Sequence, residues 1–375
     1  MNFSHIPRWF SKHFSKSSKE NASSFNESTR SSIQVCLLGG HTPLGTITSL
    51  LLKQNPIISK LKIQGDMKVR NLGEDLNQID TKCQVETYIH AKDIGKAVRG
   101  ADIVLLLSNR VWPENTSLST RILAESRRVY QLIYECTIQA PRAMIVVAVP
   151  PVSVFTPFAA NLFKKSNFYH PSRIIGSAAM AQVKINSLAG RYQDLDPYIC
   201  RVPLTGGPDI DLAVPIFSKA SPVEIDTRSA KILMSRFRQI HLDDFPKQHC
   251  KENFIENHEL SEAYSLNNMI TTIAMGIFGD SEALYYAFVR SNIIPNCQYL
   301  VTMLQFSKEG VVHNFGLPTV SNFELDMLER AVLEIKNREQ MAQELLDFCD
   351  GKCKTPSFEI KERKKERTLK QSVIK

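Results

Sequence analysis

Residues 33–45, IQVCLLGGHTPLG, decide the fold that we predict for this chain. A short apolar run rich in β-forming residues stops at two glycines, and an amphipathic segment, residues 46–53, follows it. This order predicts a strand, a tight turn and a helix. Such a turn brings backbone N–H groups and the positive end of a helix dipole to one point, where a pyrophosphate can bind.

The glycine spacing in this turn is close to the dinucleotide-binding fingerprint but incomplete. Gly39, Gly40 and Gly45 are present and are the candidate cofactor-binding residues. Thr42 stands where a middle glycine would let the backbone approach the phosphates. Two interpretations therefore stay open, an ordinary strand-to-helix turn and a nucleotide site.

Strand and helix patterns alternate after the turn. Residues 101–108 and 143–149 are apolar almost throughout, which is typical of a parallel sheet covered on both faces by helices. After Pro150 the pattern changes to longer helices and isolated strands, which indicates a second domain. We predict an α/β protein with a doubly wound parallel sheet in residues 33–151, followed by an α+β domain in residues 152–349. Residues 61–64 and 85–90 predict further strands, and residues 91–99 and 118–137 predict helices.

The charge of the chain is concentrated at its two ends. Among 375 residues the net charge is +8, but residues 351–375 carry nine Lys or Arg against three acids, and residues 1–32 carry five against two. The remaining body is close to neutral, which argues against a basic nucleic-acid groove. No apolar run approaches the length of a membrane span.

The first nineteen residues contain no acid and are rich in serine. Basic and apolar residues recur there at helical spacing, as is typical of a mitochondrial transit peptide. Residues 1–32 therefore predict a presequence with its linker and a mitochondrial matrix location; a disordered basic tail is the alternative. Eight scattered cysteines fit a reducing compartment. The helical pattern consists of Phe3, Ile6, Phe10 and Phe14 with Arg8, Lys12 and Lys16.

Two polar clusters allow other interpretations. Residues 350–375 form a basic tail, which is either solvated or bound to an anionic partner or a lipid surface. A second cluster, in residues 241–258, lacks the spacing that a metal site prefers, so a solvated surface is favoured and no metal is predicted. Its members are His241, Asp243, Asp244, His249, Cys250 and His258.

Several segments resemble the NAD-dependent malate dehydrogenases of the mitochondrial type, within the lactate/malate dehydrogenase superfamily. The resemblance spans roughly residues 33–349 and implies a Rossmann-type dinucleotide-binding domain, a substrate and dimerisation domain, and NAD as cofactor. It also implies oxidation of malate by hydride transfer. The segments that carry it are residues 44–56, 173–176, 202–207, 308–311, 314–317 and 321–324.

The resemblance also implies a catalytic histidine that takes the hydroxyl proton of malate and an aspartate that orients it. Pro208 stands at the position of the histidine, directly after a Gly-Gly pair, and Ala181 stands at that of the aspartate. Neither residue has a titratable side chain, so no catalytic residue is intact. The aspartate expected to bind the cofactor ribose falls on Gly65, and the neighbouring Asp66 is the remaining candidate.

Three arginines hold the dicarboxylate substrate in the family. One of them is replaced by Lys184, which keeps the charge but loses the two-pronged grip. The other two fall on Val111 and Ser117, with Arg110 one place away. Arg110 and Lys184 are therefore the substrate-binding candidates. We predict a catalytically impaired protein that forms a homodimer or a heterodimer with an active malate dehydrogenase subunit. The alternative is an active mitochondrial malate or 2-hydroxyacid dehydrogenase that uses substitute residues.

Overall fold

The computed structural model describes residues 32–108, 116–239, 259–353 and 355–358. The strands are β1 (Ile33–Leu38), β2 (Ile58–Gln64), β3 (Gln84–Tyr88), β4 (Ile103–Leu107), β5 (Met144–Ala148), β6 (Ile174–Ser177), β7 (Leu204–Gly206), β8 (Ala213–Pro215), β9 (Leu284–Arg290), β10 (Tyr299–Ser307) and β11 (Gly310–Asn314). The helices are α1 (Pro43–Gln54), α2 (Lys68–Leu76), α3 (Ile94–Val98), α4 (Leu118–Gln139), α5 (Val152–Lys165), α6 (Ala179–Gln193), α7 (Thr227–Gln239), α8 (Glu259–Ile277) and α9 (Asn322–Cys349).

One large sheet crosses the molecule in the strand order β11-β10-β9-β6-β5-β4-β1-β2-β3. The six strands from β3 to β6 in this order are parallel, and β9, β10 and β11 extend the sheet in antiparallel fashion beyond β6. Strands β7 and β8 form a separate antiparallel pair. The predicted α/β class with a doubly wound parallel sheet is therefore confirmed. Because β9 to β11 join the same sheet, the boundary predicted at residue 151 stays a prediction.

The alternation of side chains along each strand builds two hydrophobic cores. Cys36 and Leu38 of β1 pack on one face with helices α3, α4, α5 and α9, whereas Val35 and Leu37 pack on the other with α1, α2 and α8. Strands β4 and β5 are buried along their whole length, so both of their faces must be apolar. This is why their sequences show no alternation.

Local capping sets the starts of two important helices. Thr42 caps α1, with Pro43 in its first turn. Ser321 and Glu324 form the predicted capping box of α9, in which each side chain bonds the backbone N–H of the other residue. Glu324 is buried, and its carboxylate also accepts hydrogen bonds from the backbone N–H and the hydroxyl of Ser218. It thereby ties the start of α9 to the chain after β8.

Most predicted elements up to residue 149 are present, with ends shifted by at most three residues. The segment 91–99 differs, because it divides into a short 3₁₀ turn, Ala91–Asp93, and α3. Helix α2 is not among the predicted elements, because charged residues separate its buried Val69 and Leu76. The presequence and the basic run at 361–367 lie outside the described residues. No helix in the described ranges is long and apolar enough to span a membrane.

Candidate functional site

The strand order reverses between β1 and β4, because β1 leads outward to β2 and β4 leads to β5 on the opposite side. In doubly wound sheets the carboxyl ends of two such strands border a crevice in which ligands bind. Here the crevice is lined by residues 39–45, which we call the glycine turn, by the end of β4 and by the turn after β2. The three cofactor-binding glycines predicted from the sequence lie together in the glycine turn.

The glycines of this turn are required by the packing of the chain against itself. Gly39 has φ +103°, and a Cβ on it would lie 2.9 Å from Nη2 of Arg128. A Cβ on Gly45 would lie 2.5 Å from the carbonyl oxygen of Gly39, and one on Gly40 would lie 2.2 Å from Cγ2 of Ile63. A side chain is excluded at Gly45 by the backbone contact and disfavoured at Gly39 by the positive φ, and at Gly40 it would require Ile63 to move. Each glycine is therefore explained without a bound ligand.

The hydroxyl of Thr42 occupies the start of α1. Its oxygen accepts a hydrogen bond from the backbone N–H of Gly45 at 3.0 Å, and the hydroxyl donates to the carbonyl oxygen of Gly39 at 3.2 Å. An anion at a helix N-terminus binds through the N–H groups of the first turn. The buried Thr42 side chain already accepts a hydrogen bond from one of these N–H groups, and it covers the turn.

The turn after β2 holds Gly65 and Asp66, the two residues considered for ribose binding. A Cβ on Gly65 would lie 2.9 Å from Nδ1 of His41, so the histidine ring fills the space of a longer side chain there. Asp66 is exposed beyond the end of β2, and its Oδ1 accepts a hydrogen bond from the backbone N–H of Lys68 at 2.9 Å. Burial lowers the pKa of His41, and the nearby Asp66 carboxylate counteracts that effect. Asp66 thus lies beside the glycine turn but serves the start of α2.

A buried ion pair on α4, Glu125 with Arg128, borders the other side of the crevice. The guanidinium of Arg128 bonds Glu125 at 3.3 Å and donates to the carbonyl oxygen of Leu107 at 3.0 Å. The hydroxyl of Ser108 donates to the other oxygen of Glu125 at 2.7 Å, and the Glu125 side chain is fully buried. We call Glu125 and Arg128 the crevice pair. Sequence reasoning missed it, although the i, i+3 spacing of opposite charges was a usable signal.

These residues do not fit a dinucleotide bound in the manner that the resemblance implies. The position of the ribose acceptor is a glycine covered by His41, and the first turn of α1 is capped by Thr42. The guanidinium of Arg128 lies against Gly39, where the backbone would have to approach the phosphates. An anion in the crevice would therefore meet a helix N-terminus that Thr42 partly covers. Beside it lies the buried crevice pair, whose two charges compensate each other.

Helix α6 carries the positions expected for the orienting aspartate and one arginine. Ala181 is fully buried, and the next residue, Gln182, donates a hydrogen bond to the carbonyl oxygen of Val202 at 2.9 Å. Lys184 is half-buried on the same helix and faces Glu262 of α8. Burial raises the pKa of Glu262 to about 7, although the Lys184 ammonium lowers it. The positive charge expected to hold a substrate therefore faces an acid of the chain itself.

Pro208 is buried in residues 206–211, which we call the Pro208 loop. Asp209 follows it, and its carboxylate accepts hydrogen bonds from the backbone N–H groups of Val152 and Ser153 at 2.9 and 3.1 Å. It also accepts one from the Ser153 hydroxyl. Helix α5 has no side-chain cap of its own, so Asp209 caps it from a distant part of the chain.

Arg338 of α9 completes this cluster. Its Nη1 lies 3.1 Å from the Asp209 carboxylate and 3.0 Å from the Ser153 hydroxyl, and its Nη2 bonds Asp211. Only 5% of Arg338 is exposed. We call Asp209, Asp211, Ser153 and Arg338 the loop cluster. Sequence reasoning did not find it, because its members come from three elements and only the Asp209–Asp211 spacing marked the loop.

The remaining sequence predictions concern the expected arginine positions and a possible metal site. Ser117, at an expected arginine position, is the N-cap of α4 and accepts a hydrogen bond from the N–H of Thr120 at 3.3 Å. Arg110 and Val111 lie outside the described residues, as do the six residues weighed for a metal. No group of three or more metal-binding side chains occurs in the described part of the chain. The seven cysteines described there are free thiols.

Comparison with known proteins gives concordant likenesses in sequence and in fold. Over 314 residues, 84% of this chain and 91% of the relative, the sequence is 26% identical to the mitochondrial malate dehydrogenases of Bos taurus and Homo sapiens. No protein-family model matches the chain.

Among solved structures, the malate dehydrogenase of Picrophilus torridus matches with a TM-score of 0.68 at 14% identity, covering 84% of this chain and 98% of that one. The malate dehydrogenase of Aeropyrum pernix matches with a TM-score of 0.64 at 15% identity, covering 82% and 98%. A lactate dehydrogenase from a deep-sea metagenome matches with a TM-score of 0.66 at 14% identity, covering 83% and 99%.

Proposed function

Since this chain belongs to the lactate/malate dehydrogenase superfamily, we propose that it is a malate dehydrogenase-like protein with an impaired active site. The observation that carries the proposal is the Pro208 loop. Malate oxidation needs a base within hydrogen-bond reach of the substrate hydroxyl, with a pKa near the working pH. Pro208 has no group that holds a proton, and Ala181 has none that would orient such a base.

The neighbouring carboxylate does not substitute for the missing base. Asp209 accepts hydrogen bonds from two backbone N–H groups, a hydroxyl and a guanidinium. Its oxygens are therefore already occupied by donors of the chain itself. The proposed substrate-binding site is weakened as well, because the ammonium group of Lys184 faces the carboxyl group of Glu262.

NAD binding is proposed to be weak. The fold supports a dinucleotide crevice, but Gly65, Thr42 and Arg128 occupy the positions on which tight binding would depend. Asp66 is the remaining carboxylate for a ribose, and it would have to give up its contact with the start of α2. No catalytic step is assigned through this cofactor.

A second candidate function is a dehydrogenase that uses substitute residues, and one observation favours it. Glu262 has a pKa of about 7 beside Lys184, so it exchanges a proton near neutral pH, as a general base must. In this alternative Glu262 would take the proton and Lys184 would hold the carboxylate of the substrate.

The test is oxaloacetate-dependent oxidation of NADH by the purified full chain. We expect turnover well below the ~1–10³ s⁻¹ of ordinary enzymes. Turnover in that range would reject the proposal. If Glu262→Gln then abolished the activity while Glu329→Gln, an exposed acid of α9, did not, the second candidate would replace it.

We propose that the protein acts as a homodimer or as the partner of an active malate dehydrogenase subunit. Exposed apolar side chains on two helices that pack together, α1 and α8, support an association surface: Leu50, Leu260 and Tyr264. Sedimentation of the chain alone, and with an active malate dehydrogenase, tests this. Leu260→Glu should dissociate the assembly, and a chain that stays monomeric under both conditions contradicts it.

Localisation to the mitochondrial matrix rests on residues 1–32. Fused to a fluorescent reporter, this segment should direct the reporter to mitochondria, and replacing Arg8, Lys12 and Lys16 with glutamate should abolish the effect. A cytosolic reporter with the unaltered segment rejects the presequence. The basic tail, residues 350–375, remains a proposed contact for an anionic partner.

A further inference from the structure

A polar cavity of about 550 Å³ lies away from the crevice, between α5, α9 and the connection from β9 to β10. Binding pockets for small molecules have volumes of roughly 300–1,000 Å³, so the space suffices for a small metabolite. None of the residues weighed for catalysis or for the dinucleotide lines it. The cavity is therefore separate from the site described above.

Two lysines give the cavity its charge. Lys164 of α5 and Lys336 of α9 line it, and in the described parts of the chain neither forms an ion pair with a carboxylate. The Lys164 ammonium lies 5.0 Å from the centre of the Tyr169 ring, and the guanidinium of Arg290 lies 6.0 Å from the same ring. Burial and the Arg290 charge lower the pKa of Lys164, whereas the Glu339 carboxylate raises it.

The acidic side chain that lines the cavity, Glu339, already accepts a hydrogen bond from the backbone. Glu339 of α9 is half-buried, and its carboxylate accepts a hydrogen bond from the backbone N–H of Gln298 at 3.1 Å. Burial raises the pKa of Glu339, although this backbone contact opposes the effect. With one engaged acid against two lysines, the cavity carries an excess of positive charge.

Tyr299 forms part of the cavity wall. It is 3% exposed, and its ring packs against Phe288 at 5.6 Å between centroids. Its hydroxyl is buried beside the side chain of Tyr169 and is not open to the cavity. The charged side chains of the cavity, and not this hydroxyl, are therefore available to a ligand.

The side chains of α9 are spaced to present one polar face. Lys336, Glu339, Gln340 and Gln343 follow at intervals of three or four residues, which places them along one side of the helix. Asn161 of α5 donates a hydrogen bond to Oε1 of Gln343 at 3.1 Å and closes one wall. The two helices therefore hold both lysines in a fixed relation across the cavity.

We propose that this cavity binds a small organic anion carrying two or more carboxylate or phosphate groups, held by Lys164 and Lys336. Their two ammonium groups compensate two negative charges of the ligand. Nothing in this assignment depends on catalysis at the Pro208 loop.

Calorimetric titration of the full chain tests the proposal, with citrate as the carboxylate probe, pyrophosphate as the phosphate probe, and glucose as the uncharged control. We expect saturable binding of at least one anion with a Kd of about 0.1 mM at low salt, weakening as salt is added. The stronger of the two identifies the anionic group, and glucose should give no saturable heat. Absence of saturable binding of either anion at about 10 mM overturns the proposal.

Variants locate the bound anion. Lys164→Met and Lys336→Met should each weaken binding about ten-fold, because each removes a charged donor. The matched control is Lys165→Met, the adjacent lysine of α5, which bonds Asp350 at 2.7 Å and does not line the cavity. It should change the affinity by less than about two-fold. If Lys165→Met weakens binding as much as Lys164→Met, the anion responds only to the general charge of the surface and the assignment fails.

Discussion

The crevice pair and the loop cluster contain the same kinds of group but are assembled in different ways. In each, an arginine bonds a carboxylate that also accepts a hydrogen bond from a serine hydroxyl. The crevice pair lies within one helix, with its charges three positions apart, whereas Arg338 and Asp209 are 129 residues apart. The first also attaches α4 to Leu107 and Ser108 at the end of β4, and the second joins α5, α9 and the Pro208 loop.

The difference shows how residues at an expected active site can come to stabilise the fold instead. In the Pro208 loop the carboxylate and the guanidinium use their hydrogen-bonding capacity on each other and on the start of α5. In the crevice the backbone shape is kept, and the crevice pair is placed against it. The loop therefore contributes mainly to stability, while the crevice keeps a geometry from which binding could be regained.

The largest expected effect is on stability after loss of Arg338. Arg338→Met leaves Asp209 largely buried without its partner and should lower the free energy of unfolding by about 3–5 kcal/mol. Urea unfolding measures this, with Arg330→Met, an exposed arginine of the same helix, as the control. The double variant Arg338→Met/Asp209→Asn should recover part of the loss. A loss below about 1 kcal/mol would contradict the central role of the loop cluster.

A smaller loss is expected from the crevice pair. Arg128→Met should lower the free energy of unfolding by about 2–3 kcal/mol, because Arg128 bonds one carboxylate, whereas Arg338 bonds those of Asp209, Asp211 and Glu334. Arg127→Met, one residue earlier and exposed, serves as the control in the same unfolding experiment. If Arg128→Met costs more than Arg338→Met, the proposed difference between a local and a long-range pair is wrong.

Glu262, which lies near the charges of Lys184 and Glu259, should make stability depend on pH. Its pKa is raised from 4.5 to about 7, so the folded protein holds this proton more tightly than the unfolded chain does. The stability that this proton contributes is complete below pH 4.5, the ordinary pKa of the group. It is lost as the pH rises through about 7, the pKa in the folded protein. Glu262→Gln should therefore exceed the parent in stability by about 1–2 kcal/mol above neutral pH, and the gap should close in acid.

Unfolding in urea across this pH range checks the prediction for Glu262. The quantity to follow is the difference between the parent and Glu262→Gln, since it cancels the titration of all other groups. Glu329→Gln, which replaces an exposed acid, serves as the control in the same experiment. A constant gap for Glu262→Gln would mean that Glu262 titrates normally.

The smallest effect is expected at the cap of α1. Thr42→Gly releases the N–H of Gly45 and removes a side chain from the crevice, so the affinity for NADH should improve about three- to ten-fold. Calorimetry compares it with Thr46→Gly, an exposed threonine of the same helix. Low-micromolar binding by the unaltered chain would show that the crevice is not obstructed by Thr42.

The sequence predicted the parallel sheet because its information is local. Unbroken apolar runs such as those of β4 and β5 have few alternatives to a strand buried on both faces. The glycine turn and the capping box of α9 were visible for the same reason, since each is defined by residues a few positions apart. Helix α2 was missed although Val69, Leu72 and Leu76 recur in it at helical spacing, because charged residues fill most of its other positions.

The candidate site was determined only in part by the sequence. The residues at expected positions, Pro208, Ala181 and Lys184, can be read from the chain, and they indicate which functional groups are missing. What replaces them is decided by tertiary structure. Arg338 reaches Asp209, the His41 ring covers Gly65, and Lys164 and Lys336 meet across a cavity. Such contacts depend on how separate elements pack, because the geometry of a contact is set by the whole core and not by the spacing of its two residues along the chain.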